Sequence, residues 1–236
     1  MLYNIFISFL SILFMGHGFC DFIPLLHTMN LRFIGLYILI IAINMYLQLL
    51  NPSLSVLLFT LISSIHFSGD FTPRNEIKFP GIGFYVLALP AMSKTEEFAY
   101  YLKQLNVEYP GVLLNVFICG AIVSLIEPCL TGKDFTIFVF LFAYTILIYI
   151  FGVMGVFYYM VFYHLPVSLY ELIKIYNPNT VINIWIIGSI ISGLLIGILI
   201  NLKYIDEIYD NKNIVIGGGF GLLNAHSMTT LIWRNV

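Results

Sequence analysis

Apolar residues run along this chain in blocks of about a helix's length, separated by short knots of Gly, Pro, Asn and charge. About twenty predominantly apolar residues cross a hydrocarbon core of about 30 Å, so the blocks predict membrane helices. The first covers about 3–22, where Gly16 and Gly18 flank His17 and allow a neighbouring backbone to come close. Pro24 then breaks or kinks it. The second is 31–50, closed by a tight turn at Asn51-Pro52. The third is 54–69, followed by a polar connection carrying Asp70, Arg74, Glu76 and Lys78. The fourth, 79–92, is short and punctuated by Pro80, Gly81, Gly83 and Pro90. That pattern predicts a re-entrant or strongly kinked piece, which is tolerated only against protein or a cavity.

Ser93 to Glu108 is the most polar stretch and opens on Ser93-x-x-Glu96, a capping-type signature, so it predicts an interfacial helix. The fifth apolar block, 112–126, is expected to end at Glu127-Pro128. Phe135 to Leu165 is too long for one ordinary span, and Gly152 with Gly155 divides it into segments 135–151 and 156–173. Segments 181–200 and 214–233 follow, the last with Gly217-Gly218-Gly219 near its start. The expectation is an all-α, polytopic transmembrane helical bundle of eight or nine spans, forming a single membrane domain over 1–236.

Composition sharpens this reading. Of the 236 residues 60% are hydrophobic and only 9% charged, against about 25% charged in soluble domains. Mean hydropathy is +0.97, so the partner of most of the surface is expected to be the lipid bilayer. The net charge of −2 and singly scattered basic residues give no reason to expect nucleic acid. Cys20, Cys119 and Cys129 are odd in number and lie in or beside apolar blocks, which fits small buried hydrophobes better than a disulfide framework. The N-terminal run has no basic leader and passes straight into His17, so it is expected to be a retained span rather than a signal peptide. Lys and Arg are too evenly shared between the connections to orient the chain.

Candidate chemistry lies with the histidines. His27 falls beyond Pro24 at a segment end and is expected at the interface. The other four, His17, His66, His164 and His226, each fall on a different apolar block. Imidazole is the commonest metal ligand and suits iron, copper and zinc, and a bundle can gather ligands from several helices around one point. Ionisable groups inside a membrane are costly and usually functional. Each of the four has an oxygen-bearing residue four positions later: Asp21, Asp70, Ser168 and Thr230. On a helix such pairs share a face, and a metal-bound imidazole commonly gives its other ring proton to an acceptor of this kind. Read without a metal, the same residues make ordinary interhelical hydrogen bonds.

Absences narrow the chemistry further. There is no His-x-x-His-His, Cys-x-x-Cys or His-Glu-x-x-His. No lysine lies in mid-span, Lys174 at a segment end being the nearest, which argues against a Schiff base to retinal.

At these residues the chain resembles the Brp/Blh family of membrane-bound beta-carotene dioxygenases. The matching pieces are Gly16-His17-Gly18 with Asp21, and His66-Phe67 with Asp70. The 79–90 segment, the aromatic run ending in His164 and the final Ala225-His226-Ser227-Met228 complete them, in the family's order. The resemblance implies a multi-span helical enzyme using Fe(II) and dioxygen to cut beta-carotene at its central double bond, giving retinal. It also implies a functional link to a retinal-binding rhodopsin. The chain departs from the family at three positions. Ser168 stands where the family has a histidine, Val167 where it has a basic residue, and Ala225 where it has proline. His17, His66, His164 and His226 are then the expected ligands, with His226 supplying the fourth imidazole.

Two other classes stay open on sequence alone. His/Asp pairs and a Gly/Pro-broken helix also suit a transporter or a proton or cation pathway, although no internal repeat relates the halves of the chain. A non-catalytic carotenoid- or retinal-binding member of the same fold is the other, and Ser168 is the residue that keeps it in play.

Overall fold

A computed structural model describes residues 12, 15–21, 23, 31–71, 80–107, 110–131, 135–201 and 212–234. Most of the first expected span, Pro24, His27 and the side chain of Asp21 lie outside the described residues. The described chain is all-helical, without strands. Residues 15–18 are helical and run into a 3₁₀ turn, Phe19–Asp21. The longer helices are α1 (Leu31–Leu50), α2 (Pro52–Ser68), α3 (Pro80–Ser93), α4 (Thr95–Gln104) and α5 (Pro110–Thr131). After them come α6 (Phe135–Phe151), α7 (Met154–Tyr159), α8 (Leu165–Ile175), α9 (Pro178–Asn201) and α10 (Lys212–Arg234). A second 3₁₀ turn, Gly69–Phe71, follows α2, and a π-helical turn, Met160–His164, joins α7 to α8.

Among the described residues two helices, Pro52–Phe71 and Met154–Ile175, are long and apolar enough to cross a membrane. Five shorter apolar helices accompany them: Ile34–Leu50, Gly81–Ser93, Pro110–Ser124, Ile137–Phe151 and Pro178–Leu194.

Helix α3 is the buried centre of the largest core cluster, packed among α2, α5 and α6. It runs as one α-helix with Pro90 inside, because the backbone acceptor that proline orphans finds another donor. Pro90 has no N–H for the carbonyl of Val86 four residues back, and the hydroxyl of Tyr144 on α6 donates to that carbonyl at 2.5 Å. Gly83 lets α3 lie directly on the backbone of α2 at Ser64 and Ser68, and its N–H donates to Ser68 Oγ at 3.2 Å.

Helices α1 and α10 are held just as closely. A Cβ on Gly217 would sit 2.7 Å from the Cα of Met45, and one on Gly221 2.7 Å from the Cα of Ile41. Glycines four apart thus form the contact stripe that small residues provide in membrane bundles. Asn51 ends α1 and caps α2, its Oδ1 accepting from Leu54 N at 3.0 Å with Pro52 at the first turn.

Two expected boundaries move. Helix α5 passes through Glu127 and Pro128 to Thr131, because a proline near the end of a helix removes only one hydrogen bond. Ser93 does not cap the next helix: its hydroxyl donates back to Leu89 O at 3.0 Å, and Lys94 takes the N-cap position without a side-chain bond. The long apolar run does break at Gly152, whose φ of +63° places it in the left-handed region.

Beside the apolar core, several polar side chains lie inside while large apolar ones face outward. Asn44, Gln48, Ser55, Ser68 and Asn224 are buried, whereas Phe135, Phe142 and Tyr149 are 81, 69 and 75% exposed. Asn224 donates to Asn44 Oδ1 at 2.7 Å across the α1–α10 contact, so buried amides join the helices.

Candidate metal centre

The four histidines named by the sequence come together. His17 lies in the short helical stretch 15–18, where Gly16 packs on the backbone of Ser189 in α9. His66 lies in the last turn of α2, His164 closes the π-turn, and His226 lies on α10. All four are buried. Their rings close a circuit in which successive centroids lie 5.5 Å (His17–His164), 4.8 Å (His164–His66), 5.0 Å (His66–His226) and 4.6 Å (His226–His17) apart. Neighbouring planes are nearly perpendicular, between 74° and 81°.

This geometry suits one ion. A ring bound through a nitrogen about 2.1 Å from a metal has its centroid about 3.2 Å away, so neighbouring rings sit about 4.5–5.2 Å apart. Three of the four spacings fall in that range and the fourth exceeds it by a few tenths of an ångström. Two nitrogens on one ion lie about 3.0–3.4 Å apart at 90–110°. His66 Nε2 and His164 Nε2 are 3.2 Å apart. The ligand atoms of His17, His164 and His226 all lie within 4.8 Å of one another, wider than the roughly 4.2 Å that opposite ligands span. His17, His164 and His226 can therefore hold a metal ion of the kind imidazole favours, with His66 Nε2 beside His164 Nε2.

Asp70 orients His164. Its Oδ2 lies 2.9 Å from His164 Nδ1 and accepts from the Tyr159 hydroxyl at 2.6 Å. An ionised carboxylate only accepts, so the ring proton sits on Nδ1 and the Nε2 lone pair faces the cluster. The i,i+4 spacing pointed to His66 as the partner of Asp70. The described partners of its carboxylate instead come from the π-turn segment, because α2 tightens to 3₁₀ geometry at Gly69–Phe71 and re-aims the side chain.

Tyr159 was not singled out by sequence. Five residues along an α-helix turn about 140° past each other. The π-turn, closed by Leu165 N–H on Met160 O, adds a residue to the turn and swings Tyr159 and His164 to one side. Their rings lie 6.5 Å apart at 30°. Pro166 is the signal that was available, since it cannot bond to Phe162 O and its ring crowds that carbonyl in a regular helix.

The other expected supports differ. Ser168 is buried one turn beyond His164, and its Oγ has no hydrogen-bond partner among the described residues. Thr230 is buried, but its hydroxyl donates to the backbone carbonyl of His226 at 2.9 Å, so the described bond supports the helix rather than the ring. For Asp21 only the backbone is described. Phe67, edge-on to His164 at 4.9 Å, adds an apolar wall. Comparison of the chain with protein-family models, with curated proteins and with solved structures finds no match.

Proposed function

We propose that this chain is a multi-span integral membrane enzyme whose histidine cluster holds Fe(II) and uses dioxygen to cleave beta-carotene at its central double bond, yielding retinal. The observation that carries the reading is the convergence of four buried imidazoles from four separate segments, one of them oriented by a carboxylate. Neutral nitrogen ligands with open positions suit a metal that must also admit dioxygen.

The exposed Phe, Ile and Leu of the described helices, around an interior that holds the amides and imidazoles, support a lipid-facing exterior for the bundle of eight or nine spans proposed here. A carotene dissolves in that same lipid. Bound iron would supply the centre at which dioxygen is activated. The chain's own part is to fix the His164 tautomer through Asp70, to hold Asp70 through Tyr159, and to keep bulk water out with rings such as Phe67.

A transporter or proton pathway is the second reading, favoured by the buried Asn44–Asn224 pair, a polar contact away from the imidazoles. Metal content of detergent-purified protein separates the two. Tight, near-stoichiometric iron together with retinal formed in a carotene-accumulating bacterial host supports the enzyme. Iron-free protein that bleaches no carotene overturns it, and bound iron without retinal points to a binding member of the same fold.

A further inference from the structure

We propose that Tyr159 is a redox-active side chain that can give one electron to an oxidised metal in the histidine cluster while its phenolic proton passes to Asp70. The inference rests on the reading of the cluster as an iron site. Its geometry is local. Tyr159 is 2% exposed, its hydroxyl donates to Asp70 Oδ2 at 2.6 Å, and its ring centroid lies 6.5 Å from that of His164. A phenol that loses an electron becomes a strong acid, so in a dry interior it oxidises readily only where a base waits on its oxygen.

Neighbouring tyrosines lack that base. Tyr144 donates to the carbonyl of Val86, and Tyr85 shares a bond with the hydroxyl of Thr145 at 2.9 Å. Tyr163 stacks on Tyr159 at 5.6 Å, yet the carboxylate is on Tyr159. The second oxygen of Asp70 is buried without a hydrogen-bond partner among the described residues, so the carboxylate has room for another proton.

The step balances as follows in atoms and electrons. The Tyr159 O–H bond breaks, the metal is reduced by one electron, and the proton converts the Asp70 carboxylate to a carboxylic acid. A neutral phenoxyl radical remains, which an external one-electron reductant such as ascorbate returns to tyrosine. The oxidant is the iron centre after reaction with hydrogen peroxide in the absence of carotenoid. Tyr159 would then drain an oxidising equivalent formed without substrate, before it damages the ligands.

The test uses full-length protein loaded with saturating Fe(II), its iron content measured, then mixed with hydrogen peroxide without carotenoid and freeze-quenched for electron paramagnetic resonance. A tyrosyl signal is expected that narrows with ring-deuterated tyrosine, forms more slowly in D₂O, disappears in Tyr159→Phe and persists in Tyr163→Phe. An iron-loaded native protein without the signal overturns the inference while leaving the iron site intact. So does a signal that persists in Tyr159→Phe at equal iron content. A rate unchanged in D₂O refutes the coupled proton transfer in the native chain, whatever the variants do. A native chain that takes up no iron removes the metal reading, and this inference with it.

Discussion

Replacing Asp70 tests whether its carboxylate prepares the cluster for a metal. The side chain is fully buried and receives two donors on one oxygen, His164 Nδ1 at 2.9 Å and the Tyr159 hydroxyl at 2.6 Å. Asp70→Ala strands both. Each buried unsatisfied donor costs about 1–3 kcal/mol, so the fold should lose about 2–6 kcal/mol, within the usual range of total stability of about 5–15 kcal/mol. His164 also becomes free to turn or to carry its proton on Nε2, which removes it as a ligand. Loss of such an orienting partner weakens metal binding about 10–100-fold, or about 1.4–2.7 kcal/mol. Asp70→Asn keeps an acceptor oxygen in place but removes the charge, so it should fall near the lower end. The measurement is competition for Fe(II) against a chelator of known affinity, on detergent-purified protein held well below its melting temperature. Affinity within about twofold of native in Asp70→Ala would falsify the orienting role, however much the variant is destabilised.

Two further substitutions probe the scaffold. Gly221→Leu forces a side chain onto the backbone of Ile41 and should destabilise the α1–α10 contact by about 1–3 kcal/mol or more, whereas Gly219→Leu, where an added Cβ meets nothing, should melt like the native chain. Equal melting of both variants in detergent refutes the close approach. Tyr144→Phe strands the Val86 carbonyl that Pro90 leaves open and should cost about 1–3 kcal/mol, but clearly less in a Pro90→Ala background, where the helix supplies its own N–H. Additive losses in that double-mutant cycle would contradict the account of α3.

Helix content was legible because apolar blocks and their Gly/Pro knots are local signals. Asn51-Pro52 and Gly152 mark breaks that the structure keeps. Proline was a less faithful signal. Pro90 and Pro128 both lie within helices, and at Pro90 the orphaned carbonyl of Val86 is taken by Tyr144. That is a contact between residues 58 apart in the chain, beyond any local rule. The four histidines were legible as rare polar residues on apolar blocks. Their pairings were not, because i,i+4 spacing assumes an unbroken α-helix. Asp70 lies within a 3₁₀ turn and His164 closes a π-turn, and each departure re-aims a side chain. Tyr159 lay hidden in an aromatic run for the same reason: five residues before His164, it shares its side only through that π-turn.

Ser168 decides between an enzyme and a binding relic of the same fold. From Leu165 onward the helix is regular, so Ser168 shares a face with His164, and both are buried. A hydroxyl on a short side chain does not reach where an imidazole would, and it is a poor ligand for iron. If the circuit of His17, His66, His164 and His226 is the complete ligand set, a further imidazole at 168 has no vacant role. Ser168→His should then change iron content and retinal yield little, and its added bulk in a buried position should lower stability. His226→Ala should abolish tight iron binding, because it opens the circuit between His66 and His17. The two variants, with the native chain, are compared for iron per protein and for retinal extracted from a carotene-accumulating host. Retinal that rises several-fold in Ser168→His, with His226→Ala keeping native iron content, would remove His226 from the ligand set and assign the native chain an incomplete site.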